Sequence, residues 1–522
     1  MRTRLAASRS VPMLLAALAF VSARLAPSEA GAAAPTRESV VSAVTRAVAY
    51  YHQKASSHGG YVYRYSADFT LREAEGIPAA DTIWIQPPGT PAVGEAFLNA
   101  YFATGDQVCL KAATDAAHAL TRTQLASGGW DYSGHFDAKT RSRYLYRRDA
   151  SGRLLDTSKA PRGEGGWHVW RQRKYKDSNY TTLDDDVTQS AVRLLVRLDE
   201  TLKSADGEIH EAALYALNAL VAAQYPAGAW SASFDVYPDP SPPASIYPLT
   251  KASYPAPWSR VWLKDFPGCY VTNDNMHATM IRTLLLAGQT YKEPRYTDAA
   301  KRAGDFLLLA RMPEPQPAWA QQYDAQMQPV WSRAFEPPAI SGRESQAVMW
   351  SLLTLTAATG EKKYLEPLPA AITYLNRSKL PEGKLARFYE LQTNRPLYFK
   401  RGPGGKGHEL TYEDDRTASN YGWKWEPELE QIQTTMKRLQ SGSVPTGVYQ
   451  LPPLKPASES EVADMVASLS KDGAWVETEG DRGIMRNAEG KKTTPAGGVL
   501  YSETFAKNIG QLCLWLAAKT PR

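Results

Sequence analysis

Apolar residues recur at three- and four-residue spacing through most of this chain, and that periodicity commits it to helices. The stretches are Val40–Lys54, Ala92–Ala103, Leu110–Leu125, Val187–Leu202, Glu208–Ala223, Met276–Leu286, Tyr296–Ala310, Ser345–Thr356 and Phe505–Ala518. Stripes of this kind are ordinarily core. Strand signals are few and short, Gly60–Tyr65 among them. Related turns punctuate the helices. Gln124, Gly128, Gly129 and Trp130 follow one; Gln224, Gly228, Ala229 and Trp230 follow another. Lys471-Asp472-Gly473-Ala474-Trp475 is a weaker echo, and Leu380-Pro381-Glu382-Gly383-Lys384 holds a similar place. Glycine ends a helix by turning left-handed. Tryptophan can fold back as an apolar anchor whose N–H seeks an acceptor. Repetition of helix, glycine turn and aromatic predicts a mainly α protein, an (α/α) toroid of antiparallel helix pairs.

The N-terminus reads as an export leader. Arg2, Arg4 and Arg9 precede the apolar run Val11–Val21, and small residues follow to about residue 30. Residues 31–522 are expected to form a single toroid domain, with a small element before about residue 88 packed beside it. The chain carries formal charge +6, and losing Arg2, Arg4, Arg9 and Arg24 against Glu29 brings it to +3. That mild balance is no nucleic-acid signature, although it allows a local basic cleft. Cys109, Cys269 and Cys513 match no zinc spacing, and their odd number leaves a thiol unpaired. No second segment is apolar enough for a stable membrane anchor. A monomer is expected, exported to the periplasm or beyond.

Two long loops interrupt the helices: 128–183, rich in Gly, Arg, Tyr and Asp, and 231–260, rich in proline. Loops of this length inside a compact domain usually carry function. Asp184-Asp185-Asp186 opens a predicted helix. A helix cap accounts for one or two of these acids; three in a row repel one another, and a hard cation such as calcium would relieve them. Asn273-Asp274-Asn275 opens the helix two positions on. Two acidic helix starts on successive pairs of a ring would face one end together, which favours the cation reading over two independent caps.

Arginines among aromatics complete the picture. Arg333 lies between Trp331 and Phe335, after Trp319-Ala320-Gln321-Gln322-Tyr323-Asp324. Arg343-Glu344-Ser345 marks another helix start. Arg387, Arg395, Lys400 and Arg401 interleave with Phe388, Tyr389, Tyr398 and Phe399. Guanidinium groups grip carboxylates bidentately, and aromatic rings stack on sugar faces. Structural ion pairs, Arg333 with Glu336 or Arg343 with Glu344, are the plainer explanation of the first two. The histidines show no paired-ligand spacing, and no phosphate loop, dinucleotide fingerprint or nucleophile elbow occurs.

Taken in order, Thr182-Leu183-Asp184-Asp185, Asn273-Asp274, Trp319 through Glu336, Glu344-Ser345, Ala386-Arg387-Phe388-Tyr389-Glu390, Asn394-Arg395-Pro396 and Arg401 resemble the pectic acid (pectate) lyases of polysaccharide lyase family 10. The resemblance spans roughly Trp84 to Trp423. It implies a helical toroid that cleaves polygalacturonate by calcium-dependent β-elimination. It implies Asp184 and Asp274 as calcium ligands and Arg333 as the base. Arg387 and Arg401 would hold substrate carboxylates, with Asp185, Arg395 and Lys400 as further substrate contacts. The chain departs from the usual pattern at Asn275, Ala320 and Ala229. On this reading, cations crowded near Arg333 would favour its neutral form. Rival readings are a toroid hydrolase of uronic-acid oligosaccharides, a non-catalytic pectin-binding protein and, from the Gln–Trp turns, a triterpene-cyclase-like toroid.

Overall fold

Only Gly105 and Asp106 separate two fifteen-residue helices, and connections this short set the architecture. Gly105 takes a left-handed φ of 74° and closes the first helix; the Asp106 side chain accepts from the Val108 N–H and starts the second. A two-residue link forces the second helix back along the first. The computed structural model describes residues 34–158, 166–168, 179–258, 260–262, 269–402, 404, 406–415, 417–418, 421–443 and 454–519. The leader-like residues 1–30 and part of the 128–183 loop lie outside these.

The helices are α1 (Arg37–Lys54), α2 (Thr90–Thr104), α3 (Gln107–Thr121), the short α4 (Ala138–Arg141), α5 (Val187–Thr201), α6 (Gly207–Ala222), α7 (Met276–Tyr291), α8 (Pro294–Leu309), α9 (Gly342–Thr359), α10 (Leu368–Arg377), α11 (Leu429–Gln440), α12 (Glu459–Ala467) and α13 (Ser502–Lys519). An inner series packs in the order α13, α2, α5, α7, α9, α11. Outside it α12, α1, α3, α6 and α8 follow one another. This is the toroid of helix pairs that the repeated turns predict. Short links join α2 to α3, α5 to α6, α7 to α8 and α9 to α10, so they share one end of the ring. The long connections, including 55–89, 122–186, 223–275, 310–341 and 378–428, therefore emerge at the other end.

The repeated turns stitch the outer layer. Gly59, Gly128, Gly228 and Gly473 each follow an outer helix with φ between 88° and 116°. A Cβ there would stand 2.3 Å from Asp115 O on α3, 2.1 Å from Ala219 Cβ on α6, 2.1 Å from Arg302 O on α8 and 2.5 Å from Arg46 O on α1, respectively. Each turn thus presses on the next outer helix, and the last returns to the first. Gln124 donates to Gly128 O and to Ala212 O of α6; Gln224 donates to Gly228 O and to Ala299 O of α8. Trp130, Trp230 and Trp475 each donate to the carbonyl ten residues upstream, and Trp319 donates to Leu307 O. The Gln–Trp turns are therefore the ring's own fastening, which accounts for them without a cyclase pocket.

The main apolar core runs from Val40 to Leu516 through both layers. A second, aromatic cluster (Trp331, Phe388, Tyr398, Phe399 and Trp423) lies under a four-stranded antiparallel sheet. Its strands, in spatial order, are Ala339–Ser341, Phe388–Glu390, Pro396–Arg401 and His408–Thr411. All come from the long connections, so the sheet sits on the same end of the ring as the acidic turns. No disulfide joins Cys109, Cys269 and Cys513. No helix among the described residues is long and apolar enough to cross a membrane.

Replacing Gly228 by alanine puts a Cβ against a backbone carbonyl at a left-handed position. It should cost about 3 kcal/mol or more. Gly360→Ala, left-handed but with open space around it, should cost only about 1–2 kcal/mol. Urea unfolding midpoints of the two variants check the difference.

Candidate functional site

Two turns of the same shape open α5 and α7. In the first, Asp185 and Asp186 have φ of 53° and 59°; in the second, Asp274 and Asn275 have φ of 46° and 62°. Successive left-handed residues are strained for most side chains, and Asp and Asn tolerate the conformation best. The matched geometry fixes the register: Asp185 corresponds to Asp274, and Asp184 to Asn273. Asp184, Asp185 and Asp274 each offer a carboxylate oxygen within 4.8 Å of the other two. The third aspartate, Asp186, turns away to pair with Arg193 at 2.9 Å.

Tyr132 donates to Asp185 Oδ2 at 3.3 Å. Asn273 Nδ2 and Arg343 Nη1 each reach Asp274 at 2.6 Å. Asp184 Oδ1 is buried with no hydrogen-bond partner. Burial raises the Asp184 carboxyl, and the Asp274 charge raises it further. Asp185 rises for the same reasons, burial first and then Asp184. Burial works on Asp274 too, but Arg343, Arg387 and Arg333 overcome it and hold that group below the usual carboxylate range.

The guanidinium side is built from the loop before α9, from α9 itself and from the loop before α11. Arg333 and Glu336 share one tight turn, with Ser332 N–H on Glu336 O at 3.0 Å and Glu336 N–H on Arg333 O at 2.9 Å. The buried Glu336 carboxylate accepts from the Arg333 side chain, from Arg333 N–H at 3.1 Å, from Gln321 at 3.0 Å and from Tyr421 at 2.8 Å. Burial works to raise Glu336, yet the Arg333 charge and these hydrogen bonds hold it at about 2. Burial likewise works to lower Arg333, and the Glu336 charge outweighs it, so the guanidinium stays cationic. The expected crowd of cations around Arg333 is thus replaced by a carboxylate.

Arg387 is buried 3.2 Å from Glu344 and 3.9 Å from Asp274, with the Tyr421 ring 4.0 Å from its Cζ. Arg343 lies over Trp425 at 4.6 Å. Set against Arg333, Arg343 and Arg387 are Asp184, Asp185, Asp274, Glu336 and Glu344. Fully ionised, these side chains carry two more negative charges than positive. The excess, the unpartnered Asp184 oxygen and the all-oxygen donor set fit a divalent hard cation such as calcium.

The remaining basic residues distribute differently. Arg395 stacks over Tyr412 at 3.5 Å, and the Tyr412 hydroxyl donates at 2.7 Å to the Glu390 carboxylate that pairs with Arg260. Lys400 pairs across strands with Glu409 at 3.7 Å. Arg401 stands opposite His408 in register, and the His408 ring lies 4.7 Å from Phe335, two residues from Arg333. The structure thus gathers Asp184, Asp185, Asp274, Arg333 and Arg387, sets Arg401 at the near end of the sheet, and engages Arg395 and Lys400 elsewhere. Sequence reasoning left Arg343 and Glu344 as a local ion pair and passed over Tyr132 and Tyr421. The only sequence signal for Arg343 was its place at the start of α9, a third inner helix opening on the same end.

No family model matches the chain, and no curated protein matches it. Among solved structures, a family 10 polysaccharide lyase from Cellvibrio cellulosa aligns at 19% identity over 66% of this chain and 97% of that one, with TM-score 0.40. A mutant of a family 10 lyase from the same organism, in complex with trigalacturonic acid, aligns at 18% over 67% and 98%, TM-score 0.39. A D-mannose isomerase aligns at 12% over 93% and 98%, TM-score 0.44.

Glu336→Gln breaks a buried pair. A carboxyl held at about 2 against an ordinary 4.5 contributes about 3 kcal/mol at neutral pH. Because the folded value is the lower one, that stability is present above pH 4.5 and disappears as pH falls towards 2. The variant should be about 3 kcal/mol less stable at pH 7, with the gap closing over that window, as measured by denaturant unfolding at each pH.

Proposed function

We propose that this chain is an exported polysaccharide lyase that cleaves a uronate polymer, polygalacturonate or a relative, by cation-assisted β-elimination. One observation carries the reading: a three-aspartate cluster with an unpartnered buried oxygen, beside Arg343 and Arg387, which reach Asp274 at 2.6 and 3.9 Å, and within the field of Arg333. Asp184, Asp185 and Asp274 would hold the cation. When bound, calcium supplies positive charge that draws in a uronate carboxylate and acidifies the neighbouring C5–H.

The side chains then divide the work. Arg387 and Arg343 add guanidinium charge beside Asp274, where negative charge develops as the C5 proton leaves. Arg333 takes that proton. The C5–H electron pair forms the C4–C5 double bond, the C4–O bond breaks, and the departing oxygen takes a proton from solvent. Glu336 keeps resting Arg333 protonated, so Arg333 must first release a proton. The reading therefore requires a rate that rises with pH above neutrality. The raised carboxyls of Asp184 and Asp185 favour a second reading, hydrolysis by an acid–base carboxyl pair.

Polygalacturonate incubated with the protein and calcium should yield a product absorbing in the ultraviolet, and a chelator should abolish it. Reducing ends that rise without absorbance would indicate hydrolysis instead, and binding without either would indicate a carbohydrate-binding protein. Arg333→Ala should lose about 10²–10⁴-fold in kcat with KM nearly unchanged. Retention of wild-type kcat, measured at several pH values, would remove Arg333 from the role of base.

A further inference from the structure

The aspartate cluster has a second wall besides the guanidinium groups, and its chemistry is different. Strand Thr82–Trp84 pairs with Ser133–His135, and Ile85 N–H reaches Tyr132 O at 2.8 Å. That pairing brings the 55–89 connection against the acidic turn, since Tyr132 itself donates to Asp185. Gln86 accepts from Trp84 Nε1 at 3.2 Å and donates to Glu75 Oε1 at 3.1 Å. Tyr63 stands edge-on to Trp84, ring centroids 5.9 Å apart. Tyr132 therefore joins Asp185 to the strand that carries Trp84, and Tyr63 and, through Gln86, Glu75 are grouped with that tryptophan.

Among the described residues the cations near this wall are engaged away from Glu75: Arg72 donates to the Ala79 and Thr82 carbonyl oxygens at 2.8 and 3.0 Å. Arg64 is spent on Glu73 at 2.8 Å. Arg486 also pairs with Glu73, and its other nitrogen donates to the Ala74 and Glu75 carbonyl oxygens. Among the described residues no lysine or arginine pairs with the Glu75 carboxylate. Burial raises the Glu75 carboxyl, and its charge in turn acts on Asp185 and on Tyr63. The Tyr63 hydroxyl is buried, and the Trp84 side chain, whose N–H is turned to Gln86, is the group within its reach; buried hydroxyls are normally satisfied.

We propose that the sugar ring bound on this wall, next to the uronate held by Arg333, Arg343 and Arg387, is uncharged, and that Glu75 and Tyr63 select it. The proposal rests on the uronate-polymer reading above and adds the class of substrate. An uncharged ring would stack on Trp84 and offer a hydroxyl to Tyr63. A carboxylate there would meet Glu75 with no cation among the described residues between them, and like charges in a partly buried site repel strongly. A neutral sugar alternating with uronate and a methyl-esterified uronate share this chemistry.

Binding by calorimetry, with calcium present, tests it without depending on turnover. Three probes of equal length are compared: an oligogalacturonate, the same oligomer methyl-esterified on alternate rings, and an oligomer alternating galacturonate with a neutral sugar. The proposal expects one or both of the latter to bind at least tenfold more tightly than the first. The tighter of the two identifies the neighbour as neutral sugar or ester. Glu75→Gln should tighten the unesterified oligomer at least fivefold and narrow the gap. Tyr63→Phe should weaken the neutral-sugar oligomer about threefold or more. Tightest binding of the unesterified oligomer, with the ratio unmoved in Glu75→Gln, overturns the proposal. Failure of the elimination reading would show separately, as binding of these probes without an ultraviolet-absorbing product.

Discussion

The glycine turns that press α1 onto α3, α3 onto α6, α6 onto α8 and α12 onto α1 determine where chemistry is possible in this protein. At Gly228 there is no space for a Cβ before the Arg302 carbonyl, and the same close approach recurs at Gly59, Gly128 and Gly473. Each contact fixes the offset between neighbouring helix pairs. The turn at Gly473 lands on α1 and so brings the end of the series back to its beginning, as a ring requires and a stack does not. A ring in turn sends the amino ends of α5, α7 and α9 to one face. Asp184 to Asp186, Asn273 to Asn275 and Arg343 to Glu344 are the openings of those three helices. They meet because of the ring, although nearly ninety residues of sequence separate the first two, as the hydrogen bond from Gln189 on α5 to Thr279 on α7 illustrates.

Convergence has an electrostatic consequence. The amino end of a helix favours negative charge by about 0.3–1 kcal/mol at an exposed site, so each acidic opening is reasonable alone. Brought together, the carboxylates lose their solvation first and repel one another second, and both effects raise Asp184 and Asp185 while Arg343 holds Asp274 down. Arg343 relieves one aspartate and leaves two. Helix dipoles are too weak to compensate buried like charges at this spacing. The cluster is therefore a place of stored repulsion, which is what a binding site for a hard cation requires.

The fold was legible because its signals are local. Helical stripes, left-handed glycines and tryptophans that reach back ten residues are all short-range features. The helices that escaped notice have thinner signals: α11 buries only the single-file stripe Leu429, Ile432, Met436 and Leu439, and α10 begins at a proline-bearing turn. The site was legible in part. Acids at two helix starts and an arginine between aromatics mark themselves. Who pairs with whom does not, because Arg343 meets Asp274 across sixty-nine positions and Tyr421 meets Glu336 across eighty-five. The basic run after Arg387 misled in the opposite way. It reads as one patch, but a strand alternates its faces, so Lys400 turns to Glu409 while Arg395, outside the strand's centre, settles on Tyr412.

Arg333 draws these threads together. Its turn supplies its own counter-ion, three residues on, so no loop movement that keeps the turn intact can part Arg333 from Glu336. The proton on Arg333 is held by Glu336 first, and Asp274 adds to that hold. Tyr421 acts in the same direction, ahead of Asp274; of these groups Asp274 is the one that belongs to the aspartate cluster, while Glu336 is sealed by Gln321 and Tyr421. Positive charge seated among the aspartates would cancel the Asp274 contribution and weaken Arg333's grip on its proton. On the proposed elimination, the same charge that binds the uronate carboxylate would also prepare the base, through the field around Asp274 rather than through any movement of Arg333.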